Sequence, residues 1–346
     1  ENTMYYYDFD IIFEKKLYRQ VQVSVSKDRI LITAFSTAPP FRTVYFRDIL
    51  EIEQNKNLLE ESILYWFPWV EMDGRRTRKD LKLVLRHQNA ENCIRFLRKL
   101  KQLMKGRSTQ EIVHAKSRNN KKILVLVNPK AGSGNAWKIF EEIKWIFDVC
   151  SIKCDPFHLD DSKHAFTLLE NGDLDPYFAI ACVGGDGPLH YTFTALMMRG
   201  IRIPVFCIPA GHGVGVASSI LADASPLVAA FSIAKGFRRN LDLIEVTKND
   251  KLMCYGCLVI AWGLVADVEF NTASIRWLGP VRYRVGAIAS VGKPPLFHLR
   301  ISYIPSNDQN MAFCTGEGCV NCNKNNNADE EEFDESSWIV EEGHFI

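Results

Sequence analysis

No apolar run in this chain approaches the roughly 18 residues that a membrane-spanning helix needs, so nothing in it reads as crossing a bilayer. It also lacks a charge excess: 42 Lys and Arg stand against 41 Asp and Glu, a formal net charge of +1. A dedicated nucleic-acid binder draws its affinity from a strong basic excess, so no nucleic-acid partner is expected. The start carries no secretory signal pattern. Ten scattered cysteines fit reduced thiols in the cytosol better than a disulfide framework. The chain opens on Glu1 rather than Met and ends on Phe345-Ile346, which fits a fragment.

What is present is a strand-and-turn unit repeated along the chain. KKILVLVNPKAGSGNAWKIF (121–140) reads as a strand covered on both faces, a glycine turn and a helix start. Asn128-Pro129 stops the strand, because proline has no ladder donor. Gly132 and Gly134 let the backbone turn tightly, and free N–H groups there and at the helix start would suit a phosphate. The turn is not a P-loop, since Gly-Lys-Ser/Thr is missing. A second apolar run, Phe178 to Val183, ends in Gly184-Gly185-Asp186-Gly187. A third, Ile203 to Ile208, ends in Pro209-Ala210-Gly211-His212-Gly213-Val214-Gly215. Strand ends of this kind are where doubly wound sheets bind ligands, and three such turns point to a nucleotide-phosphate site. Asp186, flanked by glycines, would reach a metal or a hydroxyl there.

The first 118 residues follow another rhythm. Short runs at 20–25, 30–34, 43–46, 63–67 and 81–85 suggest a small antiparallel barrel or sandwich. A helix carrying Ile94, Leu97, Leu100 and Met104 near one face closes it, an arrangement similar to a pleckstrin-homology fold. Arg75, Arg76, Arg78 and Lys79 beside Asp73-Gly74 form either a solvated hairpin tip or a seat for an acidic lipid headgroup. The polar, basic stretch after it marks a domain boundary.

NPKAGSGNA (128–136), GGDG (184–187) followed by His190, and PAG-x-G (209–213) together resemble the catalytic domain shared by diacylglycerol, ceramide and sphingosine kinases. AWGLVADVEF (261–270) and the segment around RWLGPVRYRVG (276–286) look most like sphingosine kinase. The resemblance covers roughly residues 120–346. It implies transfer of the γ-phosphoryl of ATP, with Mg²⁺, to the primary hydroxyl of a sphingoid base, giving sphingosine 1-phosphate. Such a reaction needs positioning and charge neutralisation more than covalent help.

The resemblance also implies roles. Asn128, Lys130, Gly132, Ser133 and Gly134 would cradle the phosphates, with Gly184, Gly185, Gly187, Gly211 and Gly213 completing the nucleotide site. Asp186 would act on the acceptor hydroxyl as base or orienting acceptor, close to Mg²⁺. Arg276 and Arg282 would face the phosphates and steady the transferring group. Asp267 and Glu269 alternate on an expected strand and would face one side; the second acid would contact the protonated head of the lipid. Glu269 stands where the family has an aspartate. Val265, Val268 and Tyr283 would line the path of the tail.

The expected fold is therefore α/β plus β. A pleckstrin-homology-like β domain (1–106) and a linker (107–120) precede a doubly wound nucleotide-binding domain (121–245). A β-rich lipid-binding domain (246–346) follows, short of the family's terminal strands. The implied protein is cytoplasmic with peripheral recruitment to membranes; a homodimer is compatible with it. Departures from the family are His212 and Val214 in the third turn and Tyr191 after His190. They keep open a scaffold that has lost catalysis, while Cys314-x4-Cys319-x2-Cys322 keeps ceramide kinase open. No fourth zinc ligand accompanies those cysteines, and free thiols are expected.

Overall fold

The computed structural model describes residues 4–34, 43–105, 122–211, 213–221, 223–272, 274–275, 281–291, 296–303 and 338–345. The chain groups into two compact units, Glu1–Arg238 with Asp242–Leu258 and Arg239–Leu241 with Val259–Ile346.

Alternating side chains build the first part of the larger unit. Strand β1 (Tyr5–Phe13) turns Phe9, Ile11 and Phe13 inward, and β2 (Lys16–Val25) does the same with Val21, Val23 and Val25. With β3 (Arg29–Ala34), β4 (Thr43–Tyr45), β5 (Ile49–Gln54), β6 (Glu61–Trp66) and β9 (Leu81–Arg86) they form one seven-stranded sheet in the order β4-β3-β2-β1-β9-β6-β5. Every pairing in it is antiparallel. Between β6 and β9 runs a separate hairpin, β7 (Trp69–Met72) and β8 (Arg75–Arg78). Asp73 and Gly74 both have positive φ, as a two-residue hairpin turn of primed type requires.

Helix α1 (Ala90–Lys105) covers the inner face of this sheet. The Asn89 side chain caps it, accepting from the N–H of Glu91 at 2.7 Å. Its buried stripe is Cys93, Phe96 and Leu100, flanked by Leu97, Leu103 and Met104. Ile94, expected on that face, lies at its margin, because the stripe is centred one residue earlier.

The next segment is a parallel α/β layer. Strands β10 (Lys122–Val127), β11 (Lys153–His158), β12 (Ala179–Gly184) and β13 (Val205–Pro209) form a sheet in the order β11-β10-β12-β13. Ile123, Val125 and Val127 face α2 (Ala136–Val149) and α6 (Pro226–Lys235). Leu124 and Leu126 face the layer of α3 (His164–Asn171), α4 (Asp186–Met198) and α5 (Gly215–Ile220). Both faces are covered, which is why these strands read as continuous apolar runs. The strand order reverses between β10 and β12, so their carboxyl ends open a crevice where such sheets take ligands.

The two segments share a core. Ile63 to Phe67 is apolar throughout because β6 is also covered on both sides. Leu64 and Trp66 face the α1 side, whereas Tyr65, Phe67 and Leu50 pack with Phe140, Phe147 and Phe231. The Phe67 ring stacks at 5.9 Å on Trp145 of α2 and at 5.0 Å on Phe231 of α6. Each fully buried aromatic here contributes about 1.5–3 kcal/mol over exposure.

A hairpin, β14 (Ile244–Lys248) and β15 (Lys251–Gly256), closes the larger unit, held by Thr194 of α4 against the Tyr255 N–H at 3.1 Å. The smaller unit holds α7 (Leu264–Asn271), α8 (Val281–Val291) and the antiparallel pair β16 (Phe297–Tyr303) and β17 (Ile339–Phe345). The strand expected to carry Asp267 and Glu269 is therefore absent, since β15 stops at Gly256. Residues 264–271 are helical, because Gly263 at φ 69° turns the chain and Val268 packs on one helical face. Arg276, His212, Cys314, Cys319 and Cys322 lie outside the described residues.

Candidate active site

Three turns meet at the carboxyl ends of β10, β12 and β13. The first is tied to the second by Asn128, whose N–H donates to the Val183 carbonyl at 3.0 Å. Its buried side chain is held at both ends: Oδ1 accepts from the Lys130 N–H at 3.1 Å and Nδ2 donates to Ser162 Oγ at 3.1 Å. The second and third turns are joined by the Ala210 N–H to the Gly184 carbonyl at 2.9 Å and the Asp186 N–H to the Gly213 carbonyl at 3.0 Å.

The glycines let these turns touch. A Cβ on Gly132, already at φ 56°, would stand 2.9 Å from the Ala210 carbonyl oxygen. One on Gly185 would stand 2.5 Å from the Gly213 carbonyl oxygen, and one on Gly187 would meet Ser162 Oγ at 2.8 Å. Gly184 and Gly211 are in the same close-packed group, whereas the position of a Cβ on Gly213 is open. Close approach to neighbouring turns, to backbone at Gly132, Gly185 and Gly211 and to side chains at Gly184 and Gly187, thus accounts for most of this glycine set.

Gly134 at φ 83° then leads into α2. Among the described residues, the N–H groups of Gly132 and Ser133 donate to no protein acceptor, and Lys130, Ser133 and Gly134 are exposed. Donors left open beside a helix N-terminus form an anion cradle.

Asp186 opens α4 and reaches across to α5. Its Oδ2 accepts from the Gly215 N–H at 2.8 Å and its Oδ1 from the Val216 N–H at 3.0 Å. It therefore caps a second helix while standing at the centre of the three turns. A carboxylate has about four lone-pair directions, so the two not used remain for a hydroxyl or a cation. Two partners were not among the residues read from the sequence, Ser162 and Val216, and Gly215 was read only as the end of the third turn. Ser162 follows β11, and a polar residue just after a neighbouring parallel strand was the available signal. His190 and His164 stay local: His190 packs edge-on against Tyr191 at 5.0 Å, and His164 Nδ1 accepts from the Asp160 N–H at 3.1 Å.

Residues 122–246 match the diacylglycerol kinase catalytic domain. Sphingosine kinase 1 of Arabidopsis thaliana is 32% identical over 196 residues, which cover 54% of this chain and 40% of that protein. Sphingosine kinase 2 of Homo sapiens is 26% identical over 200 residues, 54% of this chain and 31% of that one. Over this stretch the chain is similar to sphingosine kinases and carries the diacylglycerol kinase catalytic domain. It spans less than half the length of these two relatives. A diacylglycerol kinase structure from Bacillus anthracis str. Sterne aligns at TM-score 0.33 and 22% identity, over 37% of this chain and 46% of that one.

The residues that the sphingosine kinase resemblance assigned to the lipid end lie in the smaller unit. Asp267 and Glu269 sit two apart on α7, where helical geometry sends them to different sides; the single strand face expected for them is replaced. Glu269 accepts from Arg282 Nη2 with both carboxylate oxygens at 2.8 Å. Arg282 is buried and also reaches Thr272 Oγ1 at 3.3 Å and the Tyr283 hydroxyl. Burial disfavours its charge, but the bonds to Glu269 and Tyr283 outweigh that and raise its pKa. So an arginine assigned to phosphate and an acid assigned to the lipid head are bonded to each other. Val268 is buried beneath Gly286 of α8, while Val265 is 69% and Tyr283 40% exposed.

Proposed function

We propose that this chain carries the ATP- and Mg²⁺-dependent transfer of a γ-phosphoryl group to the primary hydroxyl of a sphingoid base. The observation that carries the reading is the convergence of three glycine turns on Asp186 at the reversal point of a parallel sheet. The open N–H groups of Gly132 and Ser133 and the α2 N-terminus would bind the phosphates. Lys130 would add charge beside them. Asp186 would take the hydroxyl proton or orient the hydroxyl, already aimed by the Gly215 and Val216 amides. Mg²⁺ bound with the nucleotide would neutralise phosphate charge, and Asp186 would be the carboxylate to reach it.

Glu269, Asp267, Val265, Val268 and Tyr283 remain the proposed lipid-contacting set, with Arg276 and Arg282 proposed for charge on the transferring group. Because Arg282 is bonded to Glu269, we assign it first to fixing that carboxylate.

Residues 4–105 are proposed as a pleckstrin-homology-like domain, on the strength of seven antiparallel strands and a closing helix. Of its four hairpin cations, Arg75 and Arg76 are exposed near the tip, Lys79 pairs with Glu14 at 3.1 Å, and Arg78 is buried. Peripheral membrane contact is therefore proposed through Arg75, Arg76 and the exposed Met72. Among the described residues, no helix is long and apolar enough to cross a membrane.

The deciding experiment is ³²P transfer from Mg-ATP to sphingosine, ceramide and diacylglycerol side by side, with Asp186→Asn as control. Labelled sphingosine, lost in the variant, is the expected result. Labelled ceramide instead would transfer the chain to the ceramide kinases. No transfer together with no Mg-ATP-dependent thermal stabilisation would leave the scaffold reading.

A further inference from the structure

Helix α6 is gripped along its length by the N-terminal sheet. Before it, Asp223 in the connection from α5 accepts a hydrogen bond from the Thr77 hydroxyl of β8. At its middle, the Arg78 guanidinium lies 4.5 Å from the Phe231 ring centroid and equally 4.5 Å from that of Trp69. Arg78 is itself fixed by Asp48 at 2.8 Å and by the Phe67 carbonyl. At its end, Lys235 donates to the Ile49 carbonyl of β5 at 2.9 Å. A cation sandwiched between two aromatic faces and paired with a buried carboxylate has one position, not several.

The segment held this way begins a few residues after α5. The first N–H groups of α5, those of Gly215 and Val216, are the ones bonded to Asp186. Thus α5 is fixed from two sides: by Asp186 at its start and by the Thr77–Asp223 bond just beyond its end. If that second anchor slackens, α5 can rock, and the amides that aim Asp186 move with it.

We propose that Thr77 and Arg78 are positioning residues for the phosphoryl-transfer site, acting through Asp223 and α6 on the α5 N-terminus, so that the β7–β8 hairpin is a brace of the catalytic domain. The proposal rests on the kinase reading for its effect on activity, but not for its effect on α5. On this reading the hairpin divides its labour: its base holds the catalytic layer, and only its tip is free for other contacts.

The test compares the full chain with Thr77→Val, Thr77→Ser and Asp223→Ala by amide hydrogen exchange and by phosphoryl transfer. Loss of one hydrogen bond should speed exchange across residues 215–220 by about tenfold in Thr77→Val, leaving β1, β2 and β9 unchanged. Turnover should fall by a similar factor, with the Mg-ATP KM shifted less than about threefold. Thr77→Ser keeps the hydroxyl and should restore both; Asp223→Ala removes the acceptor and should repeat the loss from the other side. Unchanged exchange at 215–220 in both Thr77→Val and Asp223→Ala would overturn the brace, whatever the activity. Inactive wild type with faster exchange in those variants would instead refute the kinase reading and retain the brace. Should Thr77→Val exchange faster everywhere, Asp223→Ala with wild-type exchange in β1 and β2 decides alone.

Discussion

Asp186 has two jobs that substitution cannot separate cleanly. Asparagine keeps one acceptor oxygen, but its amide group would point an N–H at the N–H of Gly215 or Val216. Asp186→Asn should therefore cost about 1–3 kcal/mol of stability as well as activity. Phosphoryl transfer should fall by at least about a hundredfold, the usual scale for a general base. Thermal unfolding of the same preparation reads the first effect, and equal turnover by variant and wild type would remove Asp186 from its role. Glu269→Gln carries a similar double cost, since it leaves the buried Arg282 with a neutral partner. It should raise the sphingosine KM more than the ATP KM and lower the melting temperature. A change confined to ATP would contradict the headgroup role proposed for Glu269.

Glycine placement provides a contrast between elements. Gly132→Ala meets both a left-handed φ of 56° and a carbonyl oxygen at 2.9 Å, so it should cost more than about 1 kcal/mol and weaken Mg-ATP stabilisation. Gly213→Ala enters open space and should stay within about 0.5 kcal/mol of wild type. Melting temperatures with and without Mg-ATP distinguish the two; equal losses would mean that turn packing does not set the site. The parallel strands were legible in the sequence because burial on both faces leaves an unbroken apolar run, as in Ile123–Val127. Strands β1 and β5 were not. Asp8 and Asp10 break the first and Glu51 and Glu53 the second, since only one face of each needs apolar residues there. Helix α7 was misread because Leu264, Val265, Ala266, Val268 and Phe270 satisfy a period of two about as well as 3.6. What settles it is Val268 packing against Gly286, a contact across the sequence. The glycine turns announced where the site lies, but the pairings of Ser162 with Asn128 and of the α5 amides with Asp186 exist only once the turns have folded together.

At the scale of the molecule, several thiols are kept neutral by their surroundings. Burial pushes Cys154 and Cys182 up to about 12, and Cys207 upward as well. In the unfolded chain these thiols ionise near pH 8.5. The folded form then holds more protons, so their contribution is fully present below that pH and is lost as pH rises towards about 12. Lys235 acts the other way: burial lowers its pKa, so its penalty fades as pH rises towards the ordinary lysine value. With the thiols outnumbering it, unfolding free energy from urea titration should drop between pH 8.5 and 10.5 by about 1 kcal/mol or more. A flat or rising profile would mean that the thiols already titrate in the folded protein. The shared core of the sheet and the α/β layer makes a second expectation. Probes in β2 and in β12 should lose structure in one coincident transition, and separate midpoints would refute it.

The two-sided burial of β6 also bears on how the chain is made. As it leaves the ribosome, the seven-stranded sheet can assemble with α1, but Tyr65 and Phe67 on its outer face wait for Trp145 and then Phe231. Until synthesis reaches α6, that aromatic patch faces solvent on an otherwise finished sheet. Nascent chains halted before residue 226 should therefore be the ones that chaperones hold, and those released after it the ones that escape.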